Sequence, residues 1–370
     1  MRDAKSDTGL MMELELKAFH QELGGRFVTV NGAEAVADYG STPAECQGLR
    51  QAAGILDLSS RSRLCLTGAD RVRFLHGQVT NDVKALATGE GCYAALVTAK
   101  GKMQSDLNIF CLAEELLLDF EPGYGAAVTE RLEKYVVADD VQVVDVSKPY
   151  GLLSVQGPKA ADVIRSVELL QELPAKAMSF CTVKAPAGDI YVMDHPRLGS
   201  AGFDVFAPAA ALRPLAEKLF ASAKLHGGVP AGWQAFEMAR IEAGIPRFGV
   251  DMDESNIPLE CGIETRAVSY TKGCYIGQEV LNRIHTLGHV NQELRRLRLE
   301  GSGSLPAKGD KLFMDGKAVG YITSAVFSDA LQARLALGYV RRECNRPGTK
   351  LKLSSAGEIE LIVAAEATRF

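Results

Sequence analysis

A chain of 370 residues is too long for one simple core and implies two or three domains. Its 47% hydrophobic and 24% charged residues are ordinary for a globular protein. A net charge of −5 and a pI near 5.8 argue against a general nucleic-acid binder, whose footprint is basic.

No apolar run approaches the roughly 20 residues that span a bilayer. The start, Met1-Arg2-Asp3-Ala4-Lys5-Ser6-Asp7, lacks the apolar core of a secretory signal. The eight cysteines form no C-x-x-C pair, which removes zinc-ribbon and thioredoxin patterns. Scattered free thiols fit a reducing cytoplasm; the acidic charge balance and the lack of a spanning run leave neither nucleic acid nor membrane as an expected partner.

In chain order, the first 60 residues read as an N-terminal segment, and a repeat follows. Arg63 to Thr67 alternates like a strand and enters Gly68-Ala69-Asp70. A helix pattern then places Val72, Leu75, Val79 and Val83 on one face. Strand-like runs come at Cys92 to Thr98, Asn108 to Leu112 and Leu116 to Phe120, and Tyr124, Val128 and Leu132 mark a second helix. The second copy starts at Gly151 to Val155 and enters Gly157-Pro158, where Pro158 suits a first helical position. Val163, Ile164 and Val167 continue it, then runs at Thr182 to Ala185, Ile190 to Met193 and Phe203 to Phe206. Leu212, Leu215 and Leu219 close the copy. Each copy reads β-α-β-β-α-β, a ferredoxin-like split βαβ unit in an α+β protein. The units span 61–150 and 151–294.

Gly301 to Ser304 with Pro306 is a linker signal. Short alternating runs follow at Lys311 to Met314, Ala318 to Ser324, Arg334 to Val340, Lys350 to Leu353 and Ile359 to Ala364. Asp315-Gly316, Pro347-Gly348 and Ala356-Gly357 separate them. That pattern predicts a small antiparallel barrel or sandwich over 295–370.

Phosphate-loop, nucleophile-elbow and zinc-protease motifs are missing from the sequence. His285 and His289 have helical metal-ligand spacing, but Gly288 lies between them and no acid or thiol completes a set. Three segments carry candidate chemistry. In the first, Asp106 follows a hairpin signal at Lys100-Gly101-Lys102. It reads either as a poised acid or as a solvated aspartate. In the second, Glu242 ends an amphipathic stretch before Gly244-Ile245-Pro246. It either points into a cavity or pairs with Arg240 or Arg247. The third is Lys272-Gly273-Cys274-Tyr275-Ile276-Gly277-Gln278-Glu279, which sets a thiol between a cation and a glycine-bounded helix start. Its chemistry leaves a nucleophile, a shared cluster or persulfide ligand, and a buried cysteine all open.

The octapeptide resembles the K-G-C-[YF]-x-G-Q-E signature of the YgfZ branch of the glycine-cleavage T-protein (GcvT-like) superfamily. Val280 to Ile284, Gly54 to Ser59, Gly68 to Asp70 and Thr80-Asn81-Asp82 also resemble it, as does Arg240 to Asp251. The resemblance implies a ring of three domains around a channel that holds tetrahydrofolate. It implies Glu242 at the pterin edge, Tyr275 as a stacking face, and Lys272 or Arg283 at the anionic glutamate tail. T-proteins carry paired aspartates where this chain has Ser105-Asp106, which speaks against aminomethyl transfer. The implied function is a folate-binding accessory of iron–sulfur cluster assembly or repair, acting on assembly or client proteins. Cys274 would be its functional thiol, with no established turnover of its own. The alternative is a tetrahydrofolate-dependent aminomethyltransferase or demethylase, with Asp106 near the reacting folate nitrogen.

Overall fold

The computed structural model describes residues 13–301, 303–353 and 360–364; the segment Met1 to Asp7, Ser302 and the turn at Ala356-Gly357 lie outside them. The first unit is an antiparallel sheet in the spatial order Gly91–Val97, Met103–Cys111, Leu116–Phe120, Ser62–Thr67, Gln142–Asp145. Its strands alternate. Leu64, Leu66, Leu107, Ile109 and Leu118 point to one side and pack on Phe74 and Leu75 of helix Arg71–Gln78 and on Val128 and Leu132 of helix Gly125–Glu133.

The second unit repeats this order with Phe180–Val183, Ile190–Asp194, Gly202–Pro208 and Tyr150–Gln156. Helices Ala160–Ser166 and Ala209–Leu225 cover its outer face through Val163, Ile164, Leu212 and Leu219. Its far edge differs from the first copy. Gly54–Asp57, from the N-terminal segment, pairs antiparallel with Tyr150–Gln156, and the short strand Val229–Pro230 runs parallel beyond it.

Two local expectations shift. The helix expected to carry Val79 and Val83 stops at Gln78; Val79 is extended and bridges Leu96, and Val83 opens a 3₁₀ turn. Both valines stay buried, so the apolar spacing was real although the backbone changes at the β-branched Val79-Thr80 pair. Pro158 lies in the turn before its helix, which begins at Ala160.

After the second unit, helix Trp233–Glu242 and an irregular stretch lead to helix Gln278–Leu287. The C-terminal part is a closed antiparallel barrel. Among the described residues it has six strands, ordered Gln292–Leu299, Ala333–Arg341, Lys317–Ser328, Lys311–Met314, Lys350–Lys352, Glu360–Val363, and the last pairs back onto the first. The barrel begins at Gln292, slightly before the expected boundary at 295, and closure leaves no free sheet edge.

The three parts meet pairwise. The inner faces of the two sheets share Cys65, Phe110 and Leu117 with Leu152, Met193 and Phe206. The first unit meets the barrel where Ala95, Val97 and Met103 pack with Leu337 and Tyr339, and with Cys261 of the connecting stretch. The stretch that follows the second unit is bolted to the barrel by Asp251. It accepts Arg240 Nη1 at 2.5 Å and the hydroxyls of Thr323 and Ser324 at 2.5 and 2.6 Å. A register shift between Ile322 and Ser324 places both hydroxyls on that one carboxylate.

Candidate active site between the two units

The inner face of the first sheet carries a polar row. Tyr93, Asn108 and Asp119 stand opposite one another on adjacent strands, and Asp106 faces Ala95 one step along. The register shifts between Leu96 and Val97, which pair with Ser105 and Met103 and leave Gln104 bulged. Ser105 therefore alternates with Asp106 and shares the helix-facing side of Leu107 and Ile109. The position that lacks an acid thus points away from the face that holds Asp106.

Asp106 is half-buried. Its Oδ2 accepts a 2.8 Å hydrogen bond from the Tyr93 hydroxyl, while Oδ1 is occluded and has no partner among the described residues. Burial pushes its carboxyl above the usual range, and the Tyr93 hydrogen bond and the Arg61 charge only partly offset this.

Beside it runs a buried chain of ion pairs. Arg61 donates from Nε to Asp119 and from Nη1 to Glu121, both at 2.8 Å. Arg197, from the second unit, donates to Asp119 at 2.7 Å and to Asp204 at 2.8 Å, and His195 Nδ1 meets Asp204 at 2.7 Å. Burial pushes Asp119 upward, but Arg197 and Arg61 together hold it well below the usual carboxylate range. Glu121 is different. Among the described residues its Oε2 has no hydrogen-bond partner and meets Arg247 Nε only as an ion pair at 3.3 Å, and burial raises its carboxyl. Arg247 in turn lies over the Trp233 ring, 4.9 Å from its centroid.

Sequence reasoning missed Arg61, Asp119, Glu121, Arg197 and Asp204. A signal was present for two of them: Asp119 and Asp204 are single charges inside apolar strands, where a charge is buried only with a partner.

Glu242 stands apart from this row. Both of its carboxylate oxygens are taken by the Arg50 guanidinium, from helix Thr42–Gln51, and neither expected partner, Arg240 nor Arg247, reaches it. Arg240 is spent on Glu237, Asp251 and Ser324. The Arg240-to-Asp251 motif thus works as a clamp between helix, loop and barrel.

The octapeptide closes over the first unit. Lys272 is buried, and its ammonium donates to the carbonyls of His76, Val79 and Asn81 at 2.6, 2.7 and 2.8 Å. Those three bonds use all of its N–H groups, so none is left for an anionic tail. Burial lowers its pKa to about 8. Tyr275 is buried under the Lys272 ammonium with its hydroxyl unpartnered among the described residues, while Cys274, Glu279 and Arg283 are exposed. Gln278 opens the helix Gln278–Leu287 after Gly277. His285 pairs with Glu264 at 2.8 Å and stacks on Tyr270, and the described residues hold no cluster suited to a metal.

Gly277 has φ 89°, and a Cβ there would stand 2.6 Å from the Thr98 carbonyl of the Lys100-Gly101-Lys102 turn. Gly277→Ala is expected to cost about 1–3 kcal/mol, read as a lower urea midpoint with unchanged slope. An unshifted midpoint would show that the loop relaxes freely.

Fold and site together define a protein of two related α+β units and a barrel, with an unsatisfied acid on the face between the units. The GCVT N-terminal domain matches residues 16–272, and the glycine cleavage T-protein C-terminal barrel domain matches 292–368. The chain belongs to the glycine cleavage T-protein family. Gly273 to Glu279 falls between the two matched stretches. An aminomethyltransferase of Chlorobium luteolum is 27% identical over 356 residues, covering 95% of this chain and 96% of its own. One of Rubrobacter xylanophilus is 28% identical over 341 residues, covering 90% and 88%. The crystal structure of glycine cleavage system aminomethyltransferase T from Bartonella henselae superposes with TM-score 0.86 at 24% identity, over 96% of this chain and 97% of that one. These relatives bear the aminomethyltransferase name and none a YgfZ or iron–sulfur name, so the comparisons support the superfamily and not the branch.

Proposed function

We propose that the chain binds tetrahydrofolate between its two α+β units and acts as a folate-dependent aminomethyltransferase, with Asp106 as its acid–base group. The observation that carries this reading is the Asp106 carboxyl, whose occluded Oδ1 lacks a partner among the described residues and whose affinity for a proton is raised by burial. Such a group gives a proton to, or takes one from, an amine placed against it. Ser105 does not weaken the reading, because a second acid there would face the helices.

The free valences fit a pterin. Glu121 Oε2 accepts from a ring N–H, and Arg247 Nε beside it donates to a ring carbonyl. Glu242, saturated by Arg50, has no such capacity left and instead braces helix Trp233–Glu242. When bound, tetrahydrofolate supplies the amine that receives the one-carbon unit. Tyr93 holds the Asp106 carboxyl in one orientation, and Arg61 fixes Asp119 and Glu121 around it.

A second reading, the YgfZ-type accessory of iron–sulfur enzymes, draws on one observation: Cys274 is exposed, while the other seven cysteines are buried or half-buried. One experiment separates the two. The protein is incubated with an aminomethylated lipoyl carrier and tetrahydrofolate, and methylenetetrahydrofolate is measured. Product formation that survives Cys274→Ala supports the transferase. No product, with folate binding intact and iron–sulfur enzyme activity lost in Cys274→Ala cells, supports the accessory role.

A further inference from the structure

The octapeptide and the Asp106 face are joined by the turn that follows helix Arg71–Gln78. Strand Gly91–Val97, which carries Tyr93, is the edge of the first sheet. Its outer main-chain groups have no neighbouring strand, and the turn answers them instead. Thr80 donates its amide to the Ala95 carbonyl at 3.0 Å and accepts the Ala95 amide on its hydroxyl at 2.9 Å. Asn81 Nδ2 donates to the Tyr93 carbonyl at 2.8 Å. Both contacts fall at the site: the Tyr93 hydroxyl holds Asp106, and Ala95 is the register partner of Asp106.

Lys272 holds the same turn from its other side. The carbonyls of His76, Val79 and Asn81 converge on its ammonium at 2.6, 2.7 and 2.8 Å. The Val79 carbonyl and the Thr80 amide belong to one planar peptide, so fixing the oxygen fixes the N–H aimed at Ala95. The Asn81 carbonyl is held by Lys272, and the Asn81 side chain reaches Tyr93. Without the ammonium, three carbonyl dipoles would face one another with no donor between them.

Helix Glu264–Ala267 closes the arrangement. The Thr80 hydroxyl donates to the Ala267 carbonyl at 2.6 Å, and Asn81 Nδ2 also donates to the Arg266 carbonyl at 2.9 Å. The Arg266 guanidinium lies 5.0 Å from the centroid of the Tyr93 ring. The ring, the carbonyl and the hydroxyl of Tyr93 are therefore each held, and the carbonyl is held through a turn that Lys272 pins.

We propose that Lys272 is a positioning residue for Asp106. Its ammonium pins the 79–81 turn to the sheet edge, Asn81 carries that restraint to Tyr93, and the Tyr93 hydroxyl is thereby fixed on Asp106 Oδ2. The catalytic consequence rests on the Asp106 reading proposed above; the chain of contacts does not.

The test uses the whole protein and two readouts. The first is carbon-13 NMR of the tyrosine Cζ atoms, with the Tyr93 signal assigned by its loss in Tyr93→Phe. Lys272→Met keeps an unbranched side chain and removes the charge and the three donors. It should move the Tyr93 signal and speed hydrogen exchange at the Ala95 amide by about tenfold or more, with the Val155 amide of the second sheet unchanged. A Tyr93 signal and an Ala95 exchange rate equal to wild type would overturn the assignment. If Lys272→Met does not fold, the test passes to Asn81→Ser, which cuts the path in its middle and leaves Lys272 in place; an unmoved Tyr93 signal there overturns it equally. The second readout is methylenetetrahydrofolate formation. Lys272→Met should lower kcat by about tenfold with the tetrahydrofolate KM within about twofold of wild type. In a Tyr93→Phe background the same change should add nothing, because the path to Asp106 is already cut. An equal loss in both backgrounds would contradict a role exerted through Tyr93. A wild type without turnover would sink the Asp106 reading alone, since the NMR and exchange readouts involve no folate and still decide whether Lys272 holds Tyr93.

Discussion

Asp106→Asn should lower methylenetetrahydrofolate formation by about 10²–10⁴-fold and at the same time raise the Tm. The two effects share one cause. Asp106 takes a proton more readily in the fold than in the unfolded chain, because its charge is poorly solvated there. A carboxyl raised in this way contributes fully to stability below its unfolded value, about 3.9, and that contribution is lost as pH rises through the folded value. At pH 7 the wild type therefore carries an ionisation cost that asparagine does not. Asparagine still accepts the Tyr93 hydroxyl, so the local geometry is kept. The gain in Tm should be largest at neutral pH and shrink as pH falls toward 4. A stabilised variant without turnover fits a group kept for chemistry at the expense of stability. A variant that loses both activity and stability would mark Asp106 as structural.

Arg197→Leu should cost about 3–5 kcal/mol, the largest stability loss expected from any single change here. Arg197 is the only bridge from Asp119 of the first unit to Asp204 of the second among the described hydrogen bonds, and all three side chains are buried. Removing the guanidinium leaves two carboxylates facing each other in a low-dielectric space. The pH dependence has the opposite sign to that of Asp106. Asp119 and Asp204 are held below their unfolded values by Arg197, helped by Arg61 at Asp119 and His195 at Asp204, so their contribution is present above about pH 4 and is lost as pH falls. The wild type should weaken on acidification. The Arg197→Leu deficit should be greatest near pH 7 and narrow as Asp119 and Asp204, left with Arg61 and His195 alone, protonate. Urea midpoints at pH 7 and pH 5 measure this; a deficit that does not change with pH would show that packing, not charge, is what Arg197 provides.

The architecture was legible because its signals are local. Period-two alternation from Arg63 to Thr67 and from Phe203 to Phe206 marked strands that do alternate between helix layer and inner face. The turn pairs after Gly301 divided the barrel correctly within the described residues. The strand at Gly54–Asp57 escaped because its partner lies about a hundred residues along the chain, and nothing local to a four-residue run with only Ile55 and Leu56 as large apolar side chains chooses the second sheet over the first.

The site was legible only in part. Asp106 and the octapeptide stood out as chemistry in unusual surroundings. Glu242 also stood out, but which cation answers a buried carboxylate is a tertiary fact, and Arg50 is far away in sequence. Lys272 read as a free cation beside a thiol. Three main-chain carbonyls of the 76–81 turn bind it instead, a set of partners that no side-chain pattern reveals. The Arg61–Asp119–Arg197–Asp204 chain was hidden because each member is one charge in an apolar strand or a loop, and only the meeting of the two inner faces pairs them.

The central claim is that tetrahydrofolate lies against Asp106 on the inner face of the first unit. A crystal structure of the protein with tetrahydrofolate bound tests it most directly. The account predicts the amine that accepts the one-carbon unit within about 2.6–3.2 Å of the Asp106 carboxyl, with the pterin edge on Glu121 and Arg247. A pterin seated at Glu242 with the Arg50 pair opened, or folate bound away from the face between the units, would contradict it.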